Sequence, residues 1–328
     1  MLEEVERWLS SRSWSAADRP LEQLLEAKRQ SGRTVSVVLP ALDEEATVGA
    51  IVATIRAGLM TEAVPLVDEL VVLDSGSADR TAEVAAAAGA RVVHRDSVLP
   101  RIPALPGKGE VLWRSLLATT GDIICFVDAD LREFSATFVS GIVGPLLTDP
   151  DVHFVKAMYD RPLETAGATA AVQDSSDPGG EQGGRVTELV ARPLLNLHWP
   201  QLAGFVQPLG GEYAARRSLL ERLPFPVGYG VELGLLVDAL HTVGLDGLAQ
   251  VDVGVRKHRH QGGQALGRMA AAIYRAAQLR LARGHLVRPR LTQFRRSEQG
   301  FAPYTTEVDT EERPPMAEIP EYAARRAA

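Results

Sequence analysis

Cysteine is almost missing from this chain: Cys125 is the single one in 328 residues. One cysteine forms no intrachain disulfide, which excludes a disulfide-stapled scaffold. Set inside an apolar run, Cys125 reads as core packing rather than as a nucleophile. Positive charge is also short. A net charge of -7 excludes global attraction to nucleic acid or to an anionic membrane. No nucleic-acid or membrane partner is expected, and cations for an anionic ligand have to be gathered locally. No stretch approaches the ~18 apolar residues of a membrane span. The start, Met1-Leu2-Glu3-Glu4-Val5-Glu6, lacks the basic region and apolar core of a secretory signal, so a cytoplasmic location is expected. What the chain has is apolar bulk, 45% of its residues, enough for one large or two modest domains.

The apolar runs alternate with helical patterns. Residues 1–33 read as a helical, polar lead-in with an apolar stripe at Leu21, Leu24 and Leu25. Strands are expected over 34–40, 69–74, 90–94 and 122–127, separated by helices over 44–59, 79–88 and 109–119. That alternation predicts an α/β fold with a mostly parallel sheet, whose ligand face is the carboxyl ends of the strands. Residues 34–150 form one unit on this reading and 151–292 a second, smaller one. In the second, 152–159 and 248–256 read as strands, and 185–195, 218–223, 230–243 and 263–283 as helices. Residues 164–184, rich in Gly, Ser, Asp and Ala, read as a mobile loop. The last helix carries Leu266, Met269, Ile273, Tyr274 and Leu281 on one face, for packing against its own domain or against a second copy. Residues 293–328, charged and Pro-rich, read as a largely flexible tail.

Chemistry concentrates at the strand ends. Asp128-Ala129-Asp130 follows the apolar run Ile123-Ile124-Cys125-Phe126-Val127. Two carboxylates in an extended Asp-x-Asp point to one side and offer hard oxygen ligands to Mg²⁺ or Mn²⁺, which usually completes its shell with substrate phosphates. The same three residues also suit a solvated turn or helix cap. Asp74-Ser75-Gly76-Ser77 after the second strand suits an Asx/Gly turn or, through Asp74 and Ser75, hydrogen bonds to a nucleotide base. Glu44 suits the first turn of a helix, where it complements the dipole. In Pro106-Gly107-Lys108-Gly109-Glu110, a lysine between two glycines can approach a phosphate closely, though the spacing is not that of a Walker loop. Gly183-Gly184-Arg185 leads into an expected helix, where free N–H groups and a guanidinium make an anion site. Glu232 stands beside Leu233, Leu235 and Leu236 and needs a partner if buried. Arg256-Lys257-His258-Arg259-His260 is a local basic cluster in an acidic chain.

Together the early motifs resemble the nucleotide-sugar-binding domain of GT-A glycosyltransferases, over about residues 34–130. Gly183-Gly184-Arg185-Val186-Thr187-Glu188-Leu189-Val190-Ala191-Arg192-Pro193, Gly228-Tyr229-Gly230-Val231-Glu232 and Val255-Arg256-Lys257-His258-Arg259 narrow the likeness. In order and spacing they resemble the glucosyl-3-phosphoglycerate synthase family of actinobacteria, over about residues 34–292. The resemblance implies a GT-A (Rossmann-like) sheet flanked by helices, with a mixed C-terminal acceptor-binding region. It implies a retaining, Mg²⁺- or Mn²⁺-dependent hexosyltransferase, homodimeric, moving glucose from UDP-glucose to the 2-hydroxyl of 3-phospho-D-glycerate. Position by position, Pro40, Ala41, Leu42, Glu44 and Ser75 would line the uridine pocket, with Lys108, Asp128 and Ala129 on the nucleotide. Asp130 and His258 would hold the metal. Gly184, Arg185, Val186 and Thr187 would grip the acceptor's anionic groups, with His260 near them. Tyr229, Gly230 and Glu232 would surround glucose and acceptor. Ala129 stands where the family often has Ser, and His260 where it has Asn.

On this reading Asp130, Arg185 and Glu232 carry catalysis, and Arg256 and Lys108 steady the leaving diphosphate. Retention is expected through front-face transfer, with Glu232 orienting sugar hydroxyls; double displacement would make Glu232 the nucleophile. A GT-A transferase with another acceptor is one competing reading, and a non-catalytic nucleotide-sugar binding module a second. A sugar-1-phosphate nucleotidyltransferase would need a Gly-rich, Arg- and Lys-bearing loop after the first strand, which Leu39-Pro40-Ala41-Leu42-Asp43-Glu44-Glu45 does not supply.

Overall fold

A computed structural model describes residues 2–160, 184–256, 263–281, 290–297, 300–307 and 311–327, the backbone alone at 263, 290–297, 300–307 and 327. The strands are β1 (Ser13–Ser15), β2 (Val35–Ala41), β3 (Glu69–Asp74), β4 (Arg91–His94), β5 (Ile123–Phe126), β6 (Phe154–Asp160), β7 (Tyr213–Arg216), β8 (Phe225–Pro226), β9 (Leu248–Val255), β10 (Arg290–Ser297), β11 (Gly300–Glu307) and β12 (Glu312–Arg313). Eight of them form one sheet in the order β1-β9-β6-β7-β5-β2-β3-β4. Every neighbouring pair in it is parallel except those of β7, which runs antiparallel to both β5 and β6. The expected α/β sheet is therefore present. Its carboxyl edge collects the ends of β2, β3, β5, β6 and β9 and, because β7 is reversed, the start of β7.

Burial on both faces explains the unbroken apolar runs. Side chains alternate across a strand, so Ile124 and Phe126 enter one core while Ile123 and Cys125 enter the other. The thiol of Cys125, wholly buried, is pushed up by desolvation, which keeps it protonated and inert. The helices are α1 (Glu3–Arg12), α2 (Leu21–Ser31), α3 (Val48–Leu59), α4 (Thr81–Ala87), α5 (Lys108–Ala118), α6 (Thr137–Thr148), α7 (Arg192–His198), α8 (Arg217–Leu220), α9 (Val231–Val243), α10 (Gly263–Leu281) and α11 (Pro320–Ala327). Side chains of α2, α3 and α6 fill one core; those of α5, α9, α10 and α11 fill the other. Just before α7, residues Thr187–Ala191 form a π-helical turn in which the Arg192 N–H reaches the Thr187 carbonyl. Pro193, next in line, has no N–H to restore the ordinary ladder.

Segments at both ends of the chain join the fold. The lead-in is built into the fold: Val5, Trp8 and Leu24 are buried, and β1 extends the sheet as an edge strand on β9. Three residues are too short for a periodic signal. Over 311–327 the C-terminal segment is docked on the fold. β12 pairs with β8, and Met316, Ile319 and Tyr322, three residues apart, pack one face into the core. Its prolines and charges suggest disorder by composition, but they interrupt a docked segment. Residues 161–183, which hold nearly all of the expected mobile loop, lie outside the described residues. Among the described residues no helix is long and apolar enough to cross a membrane.

Candidate active site

A cleft of about 630 Å³ opens along the carboxyl edge of the sheet. One wall is made by the loops after β2 and β3, which are tied together by reciprocal hydrogen bonds. Asp43 N–H donates to Ser77 Oγ (3.0 Å), Ala78 N–H to Asp43 Oδ1 (2.8 Å) and Glu44 N–H to Thr81 Oγ1 (2.7 Å). Asp43 sits at φ +56°, a left-handed conformation that Asp tolerates better than most residues. The loops so fixed present Pro40, Ala41, Leu42, Glu44 and Ser75 to the cleft. Asp74 is not among the lining residues. Its carboxylate accepts the Ser77 hydroxyl at 2.5 Å and the Gly76 and Ser77 N–H groups. The Asp74 carboxylate thus closes the Asx turn that its residue type suits. Glu44 precedes α3 by a turn rather than lying in it.

The floor is a cluster of alternating charges. Thr47 Oγ1 donates to the Ala129 carbonyl at 2.6 Å and fixes the backbone between the two aspartates. Lys108 Nζ lies 2.5 Å from Asp128 Oδ1 and 2.8 Å from Glu232 Oε1. Arg256, only 3% exposed, donates from Nη2 to Asp128 Oδ2 at 2.8 Å and lies 3.5 Å from Asp130 Oδ1; its Nε donates to Glu212 Oε1 at 2.9 Å. Burial alone would lower the Lys108 pKa, but the charges of Asp128 and Glu232 raise it well above the usual lysine value. Desolvation, followed by the neighbouring Asp128, raises the carboxyl pKa of Asp130. Both effects have a common root: ionic groups gathered where water is scarce.

The glycines flanking Lys108 serve packing. A Cβ on Gly107 would lie 2.3 Å from the Val227 carbonyl oxygen, and one on Gly109 1.8 Å from that of Pro226. They let the start of α5 press against the segment that leads to Tyr229 and Glu232. Gly184, Arg185, Val186 and Thr187 also line the cleft, at the entry to the π-helical turn, Arg185 exposed and Thr187 buried. Tyr229 lines it too, but Gly230 does not. A Cβ on Gly230 would lie 2.6 Å from that of Ala276, so this glycine is explained by the close approach of α10. His258 and His260 lie outside the described residues.

Sequence reasoning missed several groups here. Arg95, Gly211 and the apolar wall of Leu266, Met269 and Ile273 line the cleft. The apolar face of α10 thus splits: Leu266, Met269 and Ile273 wall the cleft, while Tyr274 and Leu281 stay exposed. Glu212 carried a signal, a carboxylate between Gly210-Gly211 and an apolar strand; Arg95 carried none. Among the described residues no three of His, Cys, Asp and Glu converge into a metal cage. Two carboxylates at a cleft floor fit Mg²⁺ or Mn²⁺ whose remaining ligands come from a diphosphate.

The model of glycosyl transferase family 2 matches residues 36–173. Across 313 residues the chain is 50% identical to the glucosyl-3-phosphoglycerate synthase of Mycolicibacterium smegmatis, covering 95% of this chain and 98% of that one. The chain belongs to the glucosyl-3-phosphoglycerate synthase family. It is a glycosyltransferase with the GT-A fold, as its motifs imply. A crystal structure of glucosyl-3-phosphoglycerate synthase from Mycobacterium tuberculosis in complex with Mn²⁺, UDP and phosphoglyceric acid superposes with a TM-score of 0.79 at 45% identity, over 90% of this chain and 94% of that one. Mannosyl-3-phosphoglycerate synthase from Rubrobacter xylanophilus superposes with a TM-score of 0.85 at 39% identity, over 96% and 98%.

Proposed function

We propose that this enzyme transfers glucose from UDP-glucose to the 2-hydroxyl of 3-phospho-D-glycerate with retention of anomeric configuration. The observation that carries this reading is the pairing, in one cleft, of the Asp128/Asp130 diacid with a second anion-binding wall at Gly184–Thr187. A donor diphosphate and an anionic acceptor need two such places. Asp130, with His258, would hold Mg²⁺ or Mn²⁺, which when bound neutralises charge on the diphosphate.

The chain's own residues do the rest. Pro40, Ala41, Leu42, Glu44 and Ser75 receive the nucleoside. Lys108 and Arg256, freed from the aspartates, turn their charge to the leaving diphosphate. Arg185 and Thr187 hold the acceptor's anionic groups so that its hydroxyl faces the anomeric carbon. As the anomeric carbon–oxygen bond to the diphosphate breaks, the acceptor oxygen bonds to the same face. The hydroxyl proton passes to the departing phosphate oxygen. Glu232, paired with Lys108, orients the sugar hydroxyls rather than attacking; a trapped glycosyl–Glu232 adduct would overturn that assignment.

The enzyme works as a homodimer in the cytoplasm, and exposed Tyr274 and Leu281 supply apolar surface for a second copy; sedimentation as a monomer at micromolar concentration refutes the dimer. The likeness to the Rubrobacter enzyme favours one second reading, a mannosyl donor with the same acceptor. Incubation of radiolabelled UDP-glucose and a mannosyl nucleotide with 3-phosphoglycerate, with Mn²⁺ and after chelation, tests both. Metal-dependent formation of glucosyl-3-phosphoglycerate is expected, and absence of any glycosylated phosphoglycerate refutes the proposal.

A further inference from the structure

Glu212 is fully buried beneath the cleft, bonded to the lining residue Arg256. It directly precedes β7, the reversed strand, which places it at the sheet edge that carries Asp128 and Asp130. Both of its oxygens are used: Oε2 accepts the Tyr159 hydroxyl at 2.7 Å, and Oε1 accepts Arg256 Nε at 2.9 Å. The neighbouring nitrogen on the same edge of that guanidinium, Nη2, lies 2.8 Å from Asp128 and 3.5 Å from Asp130. The backbone before Glu212 is held as firmly. Lys156 Nζ donates to the Gly210 carbonyl at 2.7 Å, and a Cβ on Gly211 would lie 2.2 Å from Asp128 Oδ2.

A guanidinium is a rigid planar fork, so fixing its Nε edge fixes where its Nη atoms point. A divalent ion held by Asp130 would compete with Arg256 for the same aspartates. Without Glu212, the arginine's nearest carboxylates would be Asp128 and Asp130 alone, and it would settle onto the oxygens that have to receive the metal. We propose that Glu212 is a positioning residue: it anchors Arg256 at the edge of the diacid, close enough to meet an incoming diphosphate but restrained from closing the metal site. Tyr159 is the second tether in the chain Tyr159–Glu212–Arg256–Asp128. This rests on the reading of the cleft as a metal-dependent sugar-nucleotide site.

The test is binding of Mn²⁺ in the presence of UDP, followed by the EPR signal of the free ion, for the wild type, Glu212→Gln, Tyr159→Phe, Arg256→Gln and the Glu212→Gln/Arg256→Gln pair. Loss of a charge-assisted hydrogen bond predicts a Kd raised about ten- to a hundredfold in Glu212→Gln. Tyr159→Phe, which changes no charge, shifts it in the same direction by less. In the pair, Glu212→Gln adds no more than roughly twofold to the effect of Arg256→Gln, since its partner is already gone. Steady-state kinetics show the donor KM rising while the acceptor KM stays. Unchanged Kd in both Glu212→Gln and Tyr159→Phe overturns the proposal, as does a fully multiplicative loss in the pair. If Glu212→Gln does not fold, an unchanged Kd in Tyr159→Phe alone overturns it. Failure of the wild type to take up Mn²⁺ with UDP removes the reading of the cleft, and this inference with it.

Discussion

Lys108 Nζ and Glu232 Oε1 meet at 2.8 Å across the floor of the cleft. One comes from the first residue of α5 and the other from the first turn of α9, two helices whose starts are packed together through Gly107 and Gly109. The ammonium is held between Glu232 and Asp128. Lys108→Ala should lower kcat by about 10²–10³, the usual effect of removing one preorganised donor from a developing oxyanion. The acceptor KM should change little. An alanine variant within twofold of wild-type kcat would remove Lys108 from the leaving-group site.

Arg185 stands on the other wall, exposed and at the entry to the π-helical turn. Arg185→Ala should raise the acceptor KM by roughly 10–150-fold, the equivalent of a lost charge-assisted contact of ~1.5–3 kcal/mol. The donor KM should stay within a factor of two or so. Equal effects on both substrates, measured by varying each at saturation of the other, would contradict an acceptor-specific anion site.

The parallel sheet and the ligand edge were legible in the sequence because residues buried on both faces leave runs such as Ile123–Val127 that no other element explains. The diacid was legible because it directly follows one of those runs. Asp74 and Gly230 have residue types that serve binding and backbone geometry equally well, and the turn around Ser77 and the approach of Ala276 show the geometric role of each. Glu212 stayed hidden because its meaning depends on Arg256 and Tyr159, 44 and 53 residues away in the chain. The docked C-terminus stayed hidden because its partner strand β8 has only two residues.

Lys156 gives a pH dependence of known sign. Its ammonium is buried under the cleft with one hydrogen bond, to Gly210, and lies 4.8 Å from the centre of the Tyr213 ring. Desolvation lowers its pKa to about 8, against the pull of Glu232. An unfolded lysine titrates near ~10.4. Between those values the unfolded chain binds more protons, so this residue's contribution to stability rises with pH across that window and is at its least favourable below pH ~8. Lys156→Met removes the group. The difference in unfolding free energy, wild type minus variant, should therefore grow from pH 7 to pH 10 in urea titrations. A flat difference would mean that Lys156 keeps an ordinary pKa in the fold.

Arg313 tests whether the C-terminal segment matters to the cleft. Glu110, fully buried two residues beyond Lys108, accepts Arg114 Nε at 2.8 Å and Arg313 Nε at 2.7 Å. Next to Arg313, the Pro314 carbonyl accepts the Trp113 indole N–H at 2.9 Å, and the Glu311 carbonyl accepts the Val227 N–H. The segment thus ties the start of α5 to the strand that leads to Tyr229. Arg313→Ala leaves Glu110 buried with one cation instead of two, a loss of about 1–3 kcal/mol. Arg313→Lys keeps the charge but not the fork, and should recover part of it. Denaturant unfolding should show a lower midpoint with unchanged slope for both variants, alanine below lysine. Because Glu110 and Lys108 share one helical turn, the donor KM should rise in the alanine variant more than the acceptor KM. A stability loss with no change in donor KM would separate the staple from the site.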